Sequence, residues 1–181
     1  SDVHFSAVEL FGRALPDDPK GTYRLTGKWS FRLDPGQEGV KSEWFKQSVF
    51  GDGWSQVSVP GRQEEYDVAG VAGYDGWSWF ARTFEAPASW KGHVVHLKFE
   101  AVDDEAEVWV NGERVGEHRK EGENDPNWWE EPFEFDITKV LRWDGSNTVV
   151  VLVTDFRLDG GMTKPVFLRW ADGPGMLAPE R

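Results

Sequence analysis

Asn111-Gly112, set between VWV and ERV, leaves this chain fewer conformational choices than any other step in it. An Asn-Gly pair tolerates positive φ at both positions, so it closes a tight hairpin whose twist matches that of its strands. On the incoming side Ala106, Val108 and Val110 share one face, because strand side chains alternate. Arg114-Val115-Gly116 begins the return. Upstream, the acidic turn Asp103-Asp104-Glu105 leads out of a strand with Val95, Leu97 and Phe99 on its inward face. The stretch from Phe99 to His118 therefore predicts a compact antiparallel β unit.

The same period of two recurs along the chain, with turns at short intervals, which favours an all-β protein. Trp29, Phe31 and Leu33 alternate, as do Val57 and Val59 before Pro60-Gly61. Phe80 and Phe84 place Arg82 on their own face. Phe133, Phe135 and Ile137 alternate ahead of a single helical turn from Asp136 to Leu141, and Val166, Leu168 and Trp170 form the last strand. Val149, Val151 and Val153 are interleaved with Val150 and Leu152, the pattern of a central strand covered on both faces. Glu43 to Phe50 is the best candidate for a short helix.

Six segments, taken in order, resemble the N-terminal sugar-binding domain of family 2 glycoside hydrolases, the β-galactosidase and β-glucuronidase group. They are LTGKWSFRLDP, VSVPG, GYDGWSWFARTFEAPASWKG, WVNGERVGEH, PFEFDITKVL and DGGMTKPVFLRW, spanning Leu25 to Trp170. The resemblance implies an all-β jelly-roll sandwich of the galactose-binding type, with about eight antiparallel strands. The catalytic barrel of those enzymes is outside the stretch that matches. Three parts are expected: an N-terminal extension over residues 1–24 packed on the sandwich, the jelly roll over 25–172, and a tail over 173–181 leading toward a further domain.

Twenty Lys and Arg against 32 Asp and Glu give a formal net charge of −12. That balance argues against nucleic acid or an anionic membrane surface as partner and leaves neutral glycans the easiest ligand. No apolar run is long enough to span a bilayer. The absence of cysteine leaves the compartment open: a secreted or periplasmic module with its leader removed fits, and so does a cytoplasmic one. A monomer is expected.

Eleven tryptophans carry the functional reading, because sugars present flat C–H faces that need aromatic platforms. Trp29 and Trp170 sit in strand register and read as core. Trp44, Trp54 and Trp90 flank turns and read as caps on the sandwich ends. Trp109 faces away from Val108 and Val110, toward either a second buried face or the surface. Trp128 and Trp129 lie in RKEGENDPNWWEEPF, too polar for a strand and longer than the glycine-rich turn usual in the family, so they mark either a binding loop or a lid. In VAGYDGWSW, glycines flank Tyr74 and Asp75 and expose them with Trp77; in TDFRLDGGMTKP, Arg157 and Asp159 could bind vicinal hydroxyls. The resemblance implies that these two loops reach toward the sugar. Trp128, Trp129, Tyr74, Asp75, Trp77, Arg157 and Asp159 are thus expected to meet in one carbohydrate site at a sandwich end.

Other chemistry is sparse. His4, His93, His96 and His118 lack metal-ligand spacing, and His118 reads as structural. No cofactor is expected, although the oxygen-rich turns Asp34–Glu38, Asp52-Gly53 and Asp103–Glu105 could supply calcium ligands. The expected function is a non-catalytic carbohydrate-binding module accessory to a glycoside hydrolase. The alternatives are a scaffold that packs against a catalytic barrel, and a small jelly-roll glycosidase using Glu130 and Glu131. Adjacent strand residues diverge, which counts against that pair.

Overall fold

The computed structural model describes residues 21–170. It is built of ten strands in two antiparallel sheets, two strands more than expected. In chain order these are β1 (Thr22–Arg24), β2 (Gly27–Leu33), β3 (Ser55–Val59), β4 (Gly76–Glu85), β5 (Val95–Phe99), β6 (Glu105–Val110), β7 (Glu113–His118), β8 (Phe133–Asp136), β9 (Ser146–Asp155) and β10 (Val166–Trp170). The four-stranded sheet runs β1-β10-β5-β8 and the six-stranded sheet β3-β2-β4-β9-β6-β7. Short 3₁₀ turns at Trp44–Lys46, Gln63–Glu65, Ala88–Trp90 and Trp128–Glu130 are the helical elements among the described residues. The first of them stands where a short helix was expected. Residues 22–24, assigned from sequence to the extension, form the edge strand β1 against β10. Residues 1–20 of that extension and the tail from 173 lie outside the described residues.

The Asn-Gly hairpin forms as read. Val110 pairs with Glu113 across Asn111 (φ 53°) and Gly112 (φ 80°). The side chain of Asn111 secures the turn, donating to Val140 O (2.7 Å) and accepting from Thr148 N–H (2.9 Å). One detail of the Phe99–His118 unit needs correction. Strand β5 belongs to the four-stranded sheet and β6 to the six-stranded one, so the acidic turn carries the chain between layers. Period two locates strands but says nothing of which sheet each joins.

Strand β9 is central, and its residues 147–153 are buried on both faces. Val149, Val151 and Val153 point between the sheets, among Trp29, Phe31, Phe80, Leu97, Phe99 and Leu168. Val150 and Leu152 point the other way, into a second apolar layer with Trp44, Trp79, Ala81 and Trp109. Trp109 is therefore on a second buried face. Trp90, in the turn between β4 and β5, is buried against the main core, whereas Trp44 and Trp54 belong to the outer layer and do not cap a sandwich end as expected. The reason is that the connection from Asp34 to Trp54 folds back over the outer face of the six-stranded sheet.

Asp34 fastens that cover. Its carboxylate accepts from Trp79 Nε1 (2.9 Å) and from the backbone N–H groups of Glu38 (2.8 Å) and Gly39 (2.9 Å). Gly39 is required there, since a Cβ would stand 2.5 Å from the Trp79 ring. Trp79 in turn stacks on Trp109 and meets Trp44 edge-on. Trp79→Ala is expected to cost about 3–5 kcal/mol, the scale for a buried aromatic truncated to a cavity. Urea unfolding of the two chains, compared at equal m, measures it.

Candidate functional site

Antiparallel pairing brings several loops to one end of the sandwich. Asp155 at the end of β9 pairs with Gly76 at the start of β4, and Thr154 with Glu105 at the start of β6. On the opposite sheet Phe99, Phe133 and Val166 share the matching end. The connections 99–105, 118–133 and 155–166 therefore all turn here, and the segment between β3 and β4 runs in to meet them.

Three hydrogen bonds, two of them between backbones, lock this last segment to the loop before β10. Gly61 N–H donates to Met162 O (3.0 Å), Gln63 N–H to Gly160 O (2.9 Å), and Gly160 N–H to Glu64 Oε1 (2.9 Å). Asp103 and Gly161 form a reciprocal backbone bridge. Asp104 and Asp155 sit beneath: Asp104 Oδ2 accepts from Phe156 N–H (2.8 Å) and Asp155 Oδ1 from Arg157 N–H (3.0 Å). Gln63 Oε1, Glu64 Oε2 and Asp155 Oδ2 are buried with no hydrogen-bond partner among the described residues.

Burial of so many carboxyls sets the electrostatics. Desolvation, reinforced by the charges of Glu64, Asp75 and Asp104, pushes the Asp155 carboxyl up to about 7. Burial and the adjoining Asp104 raise Asp103, and burial raises Glu64. At neutral pH this end therefore holds protons on carboxyl groups, so it can donate as well as accept hydrogen bonds.

The expected site residues divide into three groups. Asp75, Arg157 and Asp159 are exposed around the locked loops, and Asp159 pairs with Arg62 (3.2 Å). The Tyr74 hydroxyl donates to Trp77 O (2.7 Å), and the Trp77 ring packs on the outer tryptophan layer. Trp128 and Trp129 occupy a 3₁₀ turn at the same end but beside β7, three strand spacings or about 14 Å from β4. His118 Nε2 donates to Trp128 O (2.9 Å) while its ring stacks on Phe133, in keeping with a structural role. The Trp128 ring is half-buried beneath Lys120 Nζ at 4.6 Å, and Trp129 is exposed. Among the described residues no group of three or more His, Cys, Asp or Glu is arranged to hold a metal ion. Asp34, one of the expected calcium donors, spends both oxygens inside the fold.

A family model described as glycosyl hydrolases family 2, sugar binding domain, matches residues 22–174. The chain belongs to this family. A β-glucuronidase from Paenibacillus borealis is 31% identical over 134 residues, covering 72% of this chain and 20% of its own length. A β-galactosidase from Priestia megaterium is 27% identical over 164 residues, covering 77% of this chain and 15% of its own length. The chain thus spans a fifth or less of these relatives. In fold it is similar to the solved β-glucuronidase of Lactobacillus rhamnosus, with TM-score 0.72 and 24% identity over 88% of this chain and 30% of that one.

Arg62, Gln63 and Glu64 of this sugar-binding domain escaped the sequence reading. They follow the recognised VSVPG segment but carry no periodicity, and only the pairing of Gly61 with Met162 brings them to the loop end.

The raised carboxyls fix a pH dependence. Between the ordinary carboxylate range and about pH 7–8 the native state retains protons that the unfolded chain releases, so stability falls as pH rises through that window. Asp155→Asn keeps the acceptor for Arg157 N–H and removes the titration. It is expected to shrink the loss of Tm between about pH 5 and about pH 8, read by thermal denaturation at both.

Proposed function

We propose that this domain binds a neutral oligosaccharide at the loop end of the sandwich and does not itself cleave it. The observation that carries the reading is the locking of the 155–162 loop to the Gly61–Glu64 turn, which holds Arg62, Asp75, Arg157 and Asp159 at the surface of a sugar-binding domain. Preorganised charged groups of both signs suit vicinal hydroxyls, which donate and accept together. Trp129, exposed at the same end, supplies a stacking face. Its distance from Asp75 suits a ligand of more than one ring. Hydrolysis would need two carboxyls flanking one bond across a groove. Asp104 and Asp155 are buried, and Glu130 and Glu131 are exposed neighbours on one turn, so neither pair supports it.

A second reading, a domain that packs against a catalytic barrel, is favoured by Phe156 and Leu158, apolar and exposed at 55% and 80% on the tip of the same loop. A glycan array separates the two. Binding that falls about fivefold or more with Trp129→Ala or Arg157→Ala is expected, the effect of losing roughly 1 kcal/mol of stacking or of charged hydrogen bonding. An array with no ligand for the folded chain supports the packing role, and release of reducing sugar would overturn the non-catalytic assignment.

A further inference from the structure

Among the described residues, the outer face of the six-stranded sheet is covered over only part of its area. Tryptophans 44, 79 and 109 with the 34–54 connection roof the part over β9 and β6, while over β2, β3 and the far half of β4 the face lies open as a groove of about 980 Å³. Its floor is made of the outward residues of three neighbouring strands: Ser30 from β2, Gln56 and Ser58 from β3, Ala81 and Thr83 from β4. The register sets Ser30 opposite both Gln56 and Ala81, and Gln56 Nε2 donates to Ser30 Oγ (2.9 Å). One wall is the segment Ser48-Val49-Phe50. Val49 is 79% exposed, and the Phe50 ring is propped edge-on against Trp54 at 5.1 Å.

The chemistry of the lining narrows the occupant. In a chain with 32 Asp and Glu the described residues that line the groove include none of them, and the charges among them are Lys28 and Arg82. Arg82 is committed to the carbonyls of Leu25 and Thr26. One remaining lysine is too little for a phosphate backbone, which demands several cations. A purely apolar ligand would strip water from hydroxyl and amide groups and give nothing back. The ligand that fits presents many uncharged hydrogen-bonding groups together with apolar faces for Phe50 and Val49. The volume is at the upper end for small-molecule sites, with room for more than one sugar ring.

We infer that this groove is a second carbohydrate site, taking a neutral oligosaccharide laid across β3, β2 and β4. Small side chains on the floor let the sugar approach the sheet closely, Gln56 and Ser58 exchange hydrogen bonds with ring hydroxyls, and Phe50 covers a C–H face. The groove lies near Thr83, about 23 Å along β4 from Gly76 and the loop end, and it does not depend on the loop-end assignment.

The test is amide chemical-shift mapping of the 181-residue chain with maltohexaose, cellohexaose, xylohexaose and mannohexaose, each at about 5 mM, the range for weak sugar sites. At least one hexasaccharide is expected to shift the amides of Ser30, Gln56, Ser58 and Thr83, and glucose at the same concentration to leave them in place. Thr83→Trp, a substitution at an exposed position that fills the groove, should abolish those shifts with the rest of the spectrum unchanged. Gln56→Ala should weaken binding about fivefold to tenfold, the loss of a hydrogen bond or two. Trp129→Ala should leave the groove shifts intact. The inference is overturned if no hexasaccharide moves the groove amides, if shifts are confined to the loop end, or if folded Thr83→Trp binds as the parent does.

Discussion

Burial of β9 on both faces is the constraint on which the rest of the architecture depends. A sandwich needs its sheets apolar only toward each other; here Val150 and Leu152 also turn apolar side chains outward. That outward surface must be covered, and the cover is the tryptophan layer held down by the Asp34–Trp79 hydrogen bond. One carboxylate with three donors closes a connection some twenty residues long, from Asp34 to Trp54. The same closure leaves the far half of the face open. The groove and the tryptophan layer are two outcomes of one loop that covers a sheet incompletely.

The fixed position of β9 also determines the loop end. Its pairing with β4 on one side and β6 on the other places Asp155 between Gly76 and Glu105, so loops distant in sequence converge there. Carboxyls then accumulate where backbone amides need acceptors: Asp104, Asp155 and Glu64 each receive an N–H from the 156–160 loop. Burial, with the charges of Glu64, Asp75 and Asp104 nearby, pushes the Asp155 carboxyl up to about 7. Rigidity of the loop and titration near neutral pH have a common origin in these buried carboxyls.

The fold was largely legible in the chain because its strands carry local signals. Alternation at Val149–Val153, the Asn111-Gly112 turn and the order of six family segments each point to the same all-β sandwich, and each concerns neighbours in sequence. The candidate site was legible only in part. The exposure of Asp75, Arg157 and Asp159 is legible because they sit in glycine-containing loops, whereas the packing of Trp77 on the outer layer, in register with Trp79, is not. That Trp44 and Trp54 lie on the outer layer and not at a sandwich end is not legible, because turn proximity cannot show which surface a loop folds over.

By itself the sequence determined the strand content, the double-faced central strand, the hairpin geometry and the family, since alternation, φ preference and segment order are properties of contiguous residues. Tertiary structure alone decided which sheet each strand joins, that Gln63 and Glu64 lie under the Gly160 loop, and that Trp128 and Trp77 are separated across the sheet. It also decided that Ser30, Gln56 and Thr83, unremarkable in sequence, share one groove. Those facts depend on pairing between strands far apart in the chain. Such pairing is set by where the buried faces of β9 can be covered, a condition that no local pattern encodes.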